Sequence, residues 1–393
     1  MIARKRLDIA WRDLAFGILS CFRPGGEKPD GFRDDTSLTC LSVRSGFDLF
    51  LTALDLPQGS EVLVSAVTIP GMPHILRKHG LVPVPVDLDF GTVSVSTSAL
   101  RAALSPNTRA VLVAHLFGSR MSMDPIFEIA GEHGLIVIED CAQAFVGREF
   151  NGDERSDARL FSFGPIKTAT ALGGAVVFVR DDSLRRKMTE IHESWPRQSR
   201  ISYLKKLFTF CLFKPLLSPA PYTLLIGTLR LLGCDHDALV TGSARSFEGG
   251  EFFSRIRCRP CPALERLVSH RVRTYDESRL ARRTSSGREL LEAIPAGLAF
   301  GGQAANHSFW IFPVVSPAPE EWCRRLLNAG FDAARSSTSL GAVDPLPGRF
   351  ETNPDIASNA MNAVIYLPAY PEMSTRSLGK LARLVKALCE TCG

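Results

Sequence analysis

Short apolar runs that alternate with amphipathic stretches restrict the fold of this chain more than any other feature. Four runs have the length of a buried strand, at residues 61–67, 81–86, 110–116 and 135–138. Between the third and fourth runs, residues 124–133 carry apolar side chains at helical spacing. A helix between two buried strands makes a β-α-β unit, so the pattern predicts an α/β fold with a mostly parallel sheet.

Two further apolar runs, at residues 159–163 and 175–179, flank a loop that carries Lys167, and residues 182–191 then predict a helix. In open α/β sheets, ligands bind where strands end. We therefore expect residues 139–143 and 162–167 to lie at a ligand site.

The length of 393 residues exceeds what one hydrophobic core usually serves, so we expect two domains. The first, residues 1–262, contains the sheet and a hydrophobic insertion at 195–245. The second, residues 263–393, is a smaller C-terminal α/β domain. It begins with a helical stretch to residue 291, has short strands around 309–315 and ends with a helix at 377–388.

The composition is that of a folded globular protein, with 45% apolar and 22% charged residues. The net charge of +5 is too small to suggest nucleic-acid binding. The ten cysteines form no dense framework, and charged residues interrupt the first 19 positions, so we expect reduced thiols, no signal peptide and a cytoplasmic location. Two C-x-x-C pairs, at 258–261 and 389–392, are too far apart for a zinc ribbon, and no metal is expected.

The insertion at 195–245 is rich in apolar residues, but Lys214, three prolines and Arg230 interrupt it. A bilayer-spanning helix needs ~20 continuous apolar residues, so we exclude one here. Two interpretations remain open. The segment is either a buried or dimer-covering helical hairpin, or a segment that touches a membrane surface, which its basic flanks favour.

The chemistry of a pyridoxal 5'-phosphate (PLP) enzyme needs an amine, a carboxylate for the pyridine nitrogen and donors for the phosphate. Asp140 ends an apolar run, and Lys167 lies in the sequence FSFGPIK with Ser162 five positions earlier. A single aspartate at a strand end is usually a helix cap, and a single lysine is usually a surface charge. Together in neighbouring loops, they favour Lys167 as a Schiff-base lysine.

Six segments carry a resemblance to a known family: EVLVSAVT, VPVDLD, VLVAHLFG, IEDCAQA, FSFGPIK and LPAYPEM. With them, most of the chain resembles a divergent member of the DegT/StrS family of PLP-dependent sugar aminotransferases. The resemblance implies the aspartate-aminotransferase fold, known as fold type I, and a homodimer with shared active sites.

The resemblance also implies a role for individual residues. Lys167 would form the Schiff base and then move protons, while Asp140 pairs with the pyridinium. Gln143 would lie near the phenolic oxygen of the ring, and Ser162 would bind phosphate. Residues 43–47 align with the family's phosphate turn, in which Ser45 and Gly46 would bind the cofactor; a plain turn at the start of a core helix is the alternative.

Three positions depart from the family pattern. Phe47 replaces a threonine that binds phosphate, and Ile69 stands where an aromatic ring usually stacks on the cofactor, a contact that could pass to His74. Arg255 replaces an asparagine that reaches the phosphate of the partner subunit, whereas Arg257 matches. An arginine could still bind phosphate, so Arg255 remains a candidate beside the alternative of a surface charge.

The leading functional hypothesis is transfer of an amino group from glutamate to a keto group of a sugar nucleotide or related metabolite. Dehydration is less favoured, because related dehydratases replace the lysine. The departures at Phe47, Ile69 and Arg255 motivate an alternative, an altered or inactive PLP-fold protein with a binding or regulatory role.

Overall fold

A seven-stranded sheet forms the centre of the larger part of the chain. The computed structural model describes residues 1–24, 37–232, 252–335 and 338–392, so positions 233–245 of the insertion lie outside the described residues. The sheet strands are β1 (Ser37–Cys40), β2 (Glu61–Ser65), β4 (Val82–Val86), β5 (Thr108–Ala114), β6 (Ile136–Asp140), β7 (Ala158–Ser162) and β8 (Ala175–Val179), with the short β3 (Val67–Thr68) outside it.

The strand order is β1-β8-β7-β6-β5-β2-β4, and the five strands from β7 to β4 run parallel to one another. Strand β8 pairs antiparallel with β7, and the edge strand β1 pairs antiparallel with β8. The expected α/β fold with a mostly parallel sheet is therefore confirmed. The predicted strand at 61–67 is divided, because Ser65 ends β2 and residues 67–68 pair with a separate short strand.

Helices cover both faces of the sheet. They are α1 (Trp11–Phe22), α2 (Val43–Leu54), α3 (Gly71–Lys78), α4 (Thr97–Ala102), α5 (Asp124–His133), α6 (Asp182–Ser194), α7 (Arg200–Leu216), α8 (Pro219–Leu231), α9 (Phe252–Ile256) and α10 (Pro262–Arg273). One face packs against α4 and α5, and the other against α2, α3 and α6. Helix α5 has the predicted bounds, with Pro125 in its first turn and Gly134 in the left-handed conformation at its end.

The C-terminal part forms its own apolar cluster around a two-stranded antiparallel sheet. Its elements are α11 (Glu277–Ala293), β9 (Phe312–Val315), α12 (Pro319–Asn328), β10 (Gly341–Ala342), α13 (Asp355–Ala363), β11 (Val364–Leu367) and α14 (Thr375–Cys392), with a 3-10 turn at Phe350–Thr352. The strand predicted around residue 309 begins only at Phe312. Phe309 instead packs its ring on His307 before the strand.

The hydrophobic insertion is helical, as expected, but only one face of it is buried. Tyr203 and Leu207 of α7 pack into the core, and Tyr222 and Ile226 of α8 are also buried. The opposite faces are exposed in the single chain, so the hairpin is not buried there, and the dimer-covering and membrane-surface interpretations both remain. Within the described residues, no helix is long and apolar enough to cross a membrane.

Candidate functional site

The carboxyl ends of the parallel strands place two of the expected site residues side by side. Asp140 is the last residue of β6, and Ser162 is the last residue of the neighbouring strand β7. Because β8 runs antiparallel to β7, the connection between them, residues 163–174, lies at the same edge. This connection carries Lys167, so the fold brings the amine and the carboxylate together as the sequence predicted.

The environment of Lys167 favours a reactive amine. Burial and, to a smaller extent, the nearby Arg44 lower the pKa of Lys167 to about 8, while Asp140 acts in the opposite direction. The Nζ atom lies 4.3 Å from the ring centroid of Trp310. More of this amine is therefore unprotonated near neutral pH than of an ordinary lysine, and the unprotonated form is the nucleophile.

Asp140 is a buried carboxyl group whose charge depends on a cation in the site. Burial raises its pKa, and the backbone N–H of Ala142 and the nearby Lys167 oppose that shift. The Ala142 N–H donates to Oδ1 at 3.0 Å. A protonated heterocycle nitrogen against this group would restore the charge of the carboxylate, because opposite charges favour the ionised form.

Gln143 is buried, and a main-chain hydrogen bond determines the orientation of its amide. The N–H of Phe117 donates to Oε1 at 2.8 Å. Since this oxygen accepts, the Nε2 group on the other side of the amide is left as a donor. That orientation suits a negatively charged or phenolic oxygen.

The N-terminal segment holds the loop that follows Lys167. Ala169 and Leu172 have positive φ angles of 52° and 61°, which residues other than glycine rarely adopt. The N–H of Ala169 donates to Oδ2 of Asp8 at 3.1 Å, and Arg279 of α11 donates to the other oxygen at 2.8 Å. A single carboxylate thus joins the first residues, the Lys167 loop and α11.

Cationic side chains dominate the cleft in front of Lys167. Its lining includes Lys5, Arg279, Arg283 and Tyr370 besides Trp310. Burial, Lys167 and Arg4 lower the pKa of Lys5 to about 7, and its Nζ atom lies 5.2 Å from the same Trp310 ring. Such a cleft attracts anions.

Arg283 adds a buried donor to this cleft. It donates to Thr168 Oγ1 at 3.0 Å and to the carbonyl of Ser308 at 2.9 Å. Its Nη2 group is buried and has no hydrogen-bond partner within the described parts of the chain. Buried guanidinium nitrogens normally have partners, so this group is suited to an anionic ligand.

The expected phosphate turn lies at the N-terminus of α2. The side chain of Ser42 caps the helix by accepting the N–H of Ser45 at 3.2 Å, and the Ser45 hydroxyl lies 2.9 Å from that of Ser42. At Gly46, an added Cβ atom would lie 2.4 Å from Val177 of β8. The structure uses this glycine for close helix–sheet packing.

Phe47 is fully buried in the core between helix and sheet. Arg44, in the same turn, is close enough to Lys167 to lower its pKa. The turn therefore presents a guanidinium group near the site, whereas the aromatic side chain belongs to the core.

The remaining candidates lie farther out. Ile69 is partly buried and packs with the core cluster that includes Phe252. The ring of His74 contacts that of Phe252 edge-on at 5.0 Å.

Arg255 lies on the exposed face of α9. Its neighbour Arg257 donates two hydrogen bonds to the buried Asp48 of α2, at 2.8 and 3.0 Å. This ion pair ties α9 to the helix of the phosphate turn.

A buried group of His115, Glu139 and Cys141 lies behind Asp140. The N–H of Met121 donates to His115 Nδ1, so Nε2 carries the proton and donates to Glu139 at 2.9 Å. Burial, with Glu139 and Asp140, raises the pKa of the Cys141 thiol well above its usual value. The hydrogen bond between His115 and Glu139 links β6 to the loop that follows β5.

Sequence reasoning missed Lys5, Asp8, Arg44, Arg283 and Trp310. The charged residues among the first 19 positions were interpreted only as evidence against a signal peptide. Their density before an amphipathic helix was a usable signal, but no local pattern indicates that Asp8 meets a loop 161 positions away.

Comparison with known proteins agrees with this geometry. Residues 32–206 match the model of the DegT/DnrJ/EryC1/StrS aminotransferase family. The matched part is less than half of the chain. Among curated relatives, the chain is 36% identical over 162 residues to a UDP-N-acetyl-3-dehydro-alpha-D-glucosamine 3-aminotransferase of Acidithiobacillus ferrooxidans, covering 40% of this chain and 44% of that one. It is 34% identical over 155 residues to the GDP-perosamine synthase of Caulobacter vibrioides, covering 39% and 42%.

The matched part thus spans less than half the length of these relatives. Solved structures share the fold over nearly the whole chain. E. coli GDP-4-keto-6-deoxy-D-mannose-3-dehydratase with bound hydrated PLP has a TM-score of 0.68 at 14% identity, covering 98% of this chain and 100% of that one. S. venezuelae DesV, solved with a ketimine intermediate, has a TM-score of 0.66 at 20% identity and covers 96% and 95%.

Proposed function

We propose that this protein is a PLP-dependent aminotransferase that moves an amino group from glutamate to a keto group of a sugar nucleotide or related metabolite. The observation that carries the proposal is the pair of Lys167 and Asp140, an amine with a lowered pKa and a buried carboxyl group at one sheet edge. The match of residues 32–206 to the model of an aminotransferase family supports the same reaction class.

The donor set of the site fits PLP. Lys167 offers the amine, Asp140 the acid for the pyridine nitrogen, and Gln143 an amide donor. Ser162 and the first turn of α2, with Ser45 and Arg44, offer phosphate ligands. When bound, PLP supplies an electron sink for the carbon next to the nitrogen.

The residues of the chain have separate tasks in the reaction. The Lys167 Nζ atom takes a proton from the substrate carbon and returns it at a neighbouring position, which its lowered pKa allows near neutral pH. Asp140 keeps the pyridine nitrogen protonated, since the pair is stable only while both groups are charged. Trp310 and the N-terminal segment cover the amine and limit the access of water.

The cationic cleft supports an anionic substrate. Lys5, Arg279 and Arg283 line it, and the buried Nη2 of Arg283 is a donor suited to an oxyanion. Two curated relatives are named for UDP- and GDP-linked sugars. A sugar nucleotide as the acceptor, with glutamate as the donor, is consistent with these charges.

The assembly of the protein is part of this proposal. Family resemblance supports a homodimer in which Arg255 reaches the cofactor phosphate of the partner subunit, and its exposed position is compatible with that role. The domain boundary at 262/263 and the cytoplasmic location remain predictions.

A binding or regulatory role without turnover is the weaker alternative. It was motivated by Phe47, Ile69 and Arg255. Phe47 is a core residue, and the groups that the chemistry needs are present at the sheet edge.

Borohydride reduction of the purified protein with PLP, followed by peptide mapping, tests the proposal. We expect the reduced cofactor on Lys167 and its loss in Lys167→Ala. Lys5→Ala is the matched control, because Lys5 is the other cleft lysine with a lowered pKa. A label on Lys5 or no label refutes the assignment, and labelling without glutamate-dependent conversion of PLP to its amine form refutes transamination.

A further inference from the structure

The outer surface of α1 and α7 carries a group of apolar side chains that the single chain leaves uncovered. They are between 37% and 74% exposed, and we call them the apolar helix surface: Trp11, Leu19, Phe22, Ile201, Phe208, Leu212, Phe213 and Leu216. Leu224, Leu231 and Leu232 of α8 and its end are exposed as well. Soluble monomers rarely expose apolar patches of this size without an interaction.

The two helices lie side by side in antiparallel orientation. Arg200 at the start of α7 donates to the carbonyl of Arg23 after α1, at 3.0 Å. Lys214 near the end of α7 donates to the carbonyl of Ile9 before α1, at 2.6 Å. Both ends are thus joined, and the exposed side chains of the two helices form one surface.

The apolar side chains follow helical spacing away from the core. On α7, Tyr203 and Leu207 face inward, whereas Ile201, Phe208 and Leu212 face outward. Two faces of one helix therefore satisfy two different environments. An inward stripe is needed for folding, but the outward stripe has no partner within the described chain.

The charges on this surface have one sign. Arg12, Arg23 and Lys205 are exposed among the apolar side chains. The only acid of α1, Asp13, is buried against Arg271 and His270, and α7 and α8 contain no Asp or Glu. The three helices α1, α7 and α8 thus present cations and apolar groups without an exposed carboxylate.

This combination decides between possible occupants. Two copies of the surface would place like charges opposite each other, which disfavours self-association. An anionic lipid surface can bind both the exposed cations and the exposed apolar side chains. Its headgroups attract the cations, while the apolar side chains enter the boundary of the acyl chains. Trp11, with the ammonium group of Lys214 5.7 Å from its ring, is of the type that lies at such boundaries.

We propose that α1 and α7 dock this protein onto the surface of an anionic membrane without crossing it. The proposal does not depend on the proposed aminotransferase activity. The N-terminal segment that lines the cleft in front of Lys167 leads directly into α1. Docking through α1 would therefore bring this cleft close to the lipid surface.

Flotation of the full-length protein with vesicles tests the proposal. Vesicles of phosphatidylcholine with one third phosphatidylglycerol should carry the protein upward, and vesicles of phosphatidylcholine alone should carry much less. The apolar variant Phe208→Ser/Leu212→Ser and the charge variant Arg12→Gln/Lys205→Gln should each reduce binding by about tenfold or more.

The matched control is Phe350→Ser, which removes an exposed apolar side chain elsewhere. It should float like the wild type. Circular dichroism and borohydride labelling of Lys167 should be unchanged in all variants, which separates this proposal from the proposed function. Absence of flotation of the wild type overturns the docking proposal. The proposal is also overturned if the apolar variant changes its oligomeric state in light scattering but still floats with the vesicles. A second copy of the chain would then cover the apolar helix surface.

Discussion

Replacement of Gly46 by alanine should destabilise the fold through a clash between α2 and the sheet. The added Cβ atom would lie 2.4 Å from Cγ2 of Val177, whereas carbon atoms pack at about 3.5 Å or more. The neighbours must therefore separate by about 1.1 Å. Val177 is fully buried in β8, which pairs with β1 and β7 on both sides and cannot retreat easily.

Overpacking of this kind costs about 2–3 kcal/mol, and the better helix propensity of alanine returns up to about 1 kcal/mol. We therefore expect Gly46→Ala to lower the free energy of unfolding by about 1–2 kcal/mol. Urea unfolding of the full chain, followed by far-UV circular dichroism, measures this change. PLP binding, measured by absorbance titration, should change little below the unfolding transition.

A double-mutant cycle with Val177→Ala gives the decisive comparison. Val177→Ala alone should cost about 1.5–2.5 kcal/mol for two lost methyl groups and a small cavity. Because it also removes the clashing atom, the double variant should be at least about 1 kcal/mol more stable than the sum of the single effects predicts. Additive effects, or loss of PLP affinity at unchanged stability, would refute the packing role and return Gly46 to the phosphate turn.

Three further outcomes are expected. Burial lowers the pKa of Lys167 to about 8 and of Lys5 to about 7, so the unfolded state binds more protons than the folded state between these values and about 10.5. The stability of the PLP-free protein should therefore rise from pH 7 to 10. Urea midpoints of the double variant Lys5→Met/Lys167→Met should show a smaller rise. Arg257→Ala removes two hydrogen bonds from the buried Asp48, and because the Arg257 side chain is 45% exposed we expect a loss of only about 1–2 kcal/mol in urea unfolding. Arg283→Met should raise the KM for the nucleotide-sugar acceptor at least tenfold with a smaller effect on the KM for glutamate, and equal effects on both would contradict a role in binding the acceptor.

Local pattern was sufficient for the scaffold and for the centre of the site. Buried parallel strands read as continuous apolar runs, so β4, β5, β6 and β8 were located within one or two residues. The motif around Lys167 lies between two such strands, and strand direction alone places it beside Asp140. The resemblance carried by FSFGPIK and IEDCAQA pointed to the same edge, and the family match confirms the resemblance.

Sequence patterns did not show contacts between residues that lie far apart in the chain. The phosphate turn suggests a ligand role for Gly46, which stays a prediction, and the packing of this glycine against Val177 depends on how closely α2 approaches β8. Phe47 lacks the hydroxyl of the family's threonine, and the orientation of the helix turns its ring into the core. Neither orientation follows from the sequence of the turn alone.

The sequence by itself indicated the α/β alternation and the Lys167–Asp140 pair, because these depend on periodicity and on residues at strand ends, and its motifs carried the family resemblance. Only the tertiary structure decided what surrounds that pair. Asp8 holds the Lys167 loop from 161 positions away, and Trp310 reaches it from the C-terminal part. Such contacts pair polar or aromatic groups whose separation along the chain carries no period, so they exist only once packing has brought the segments together.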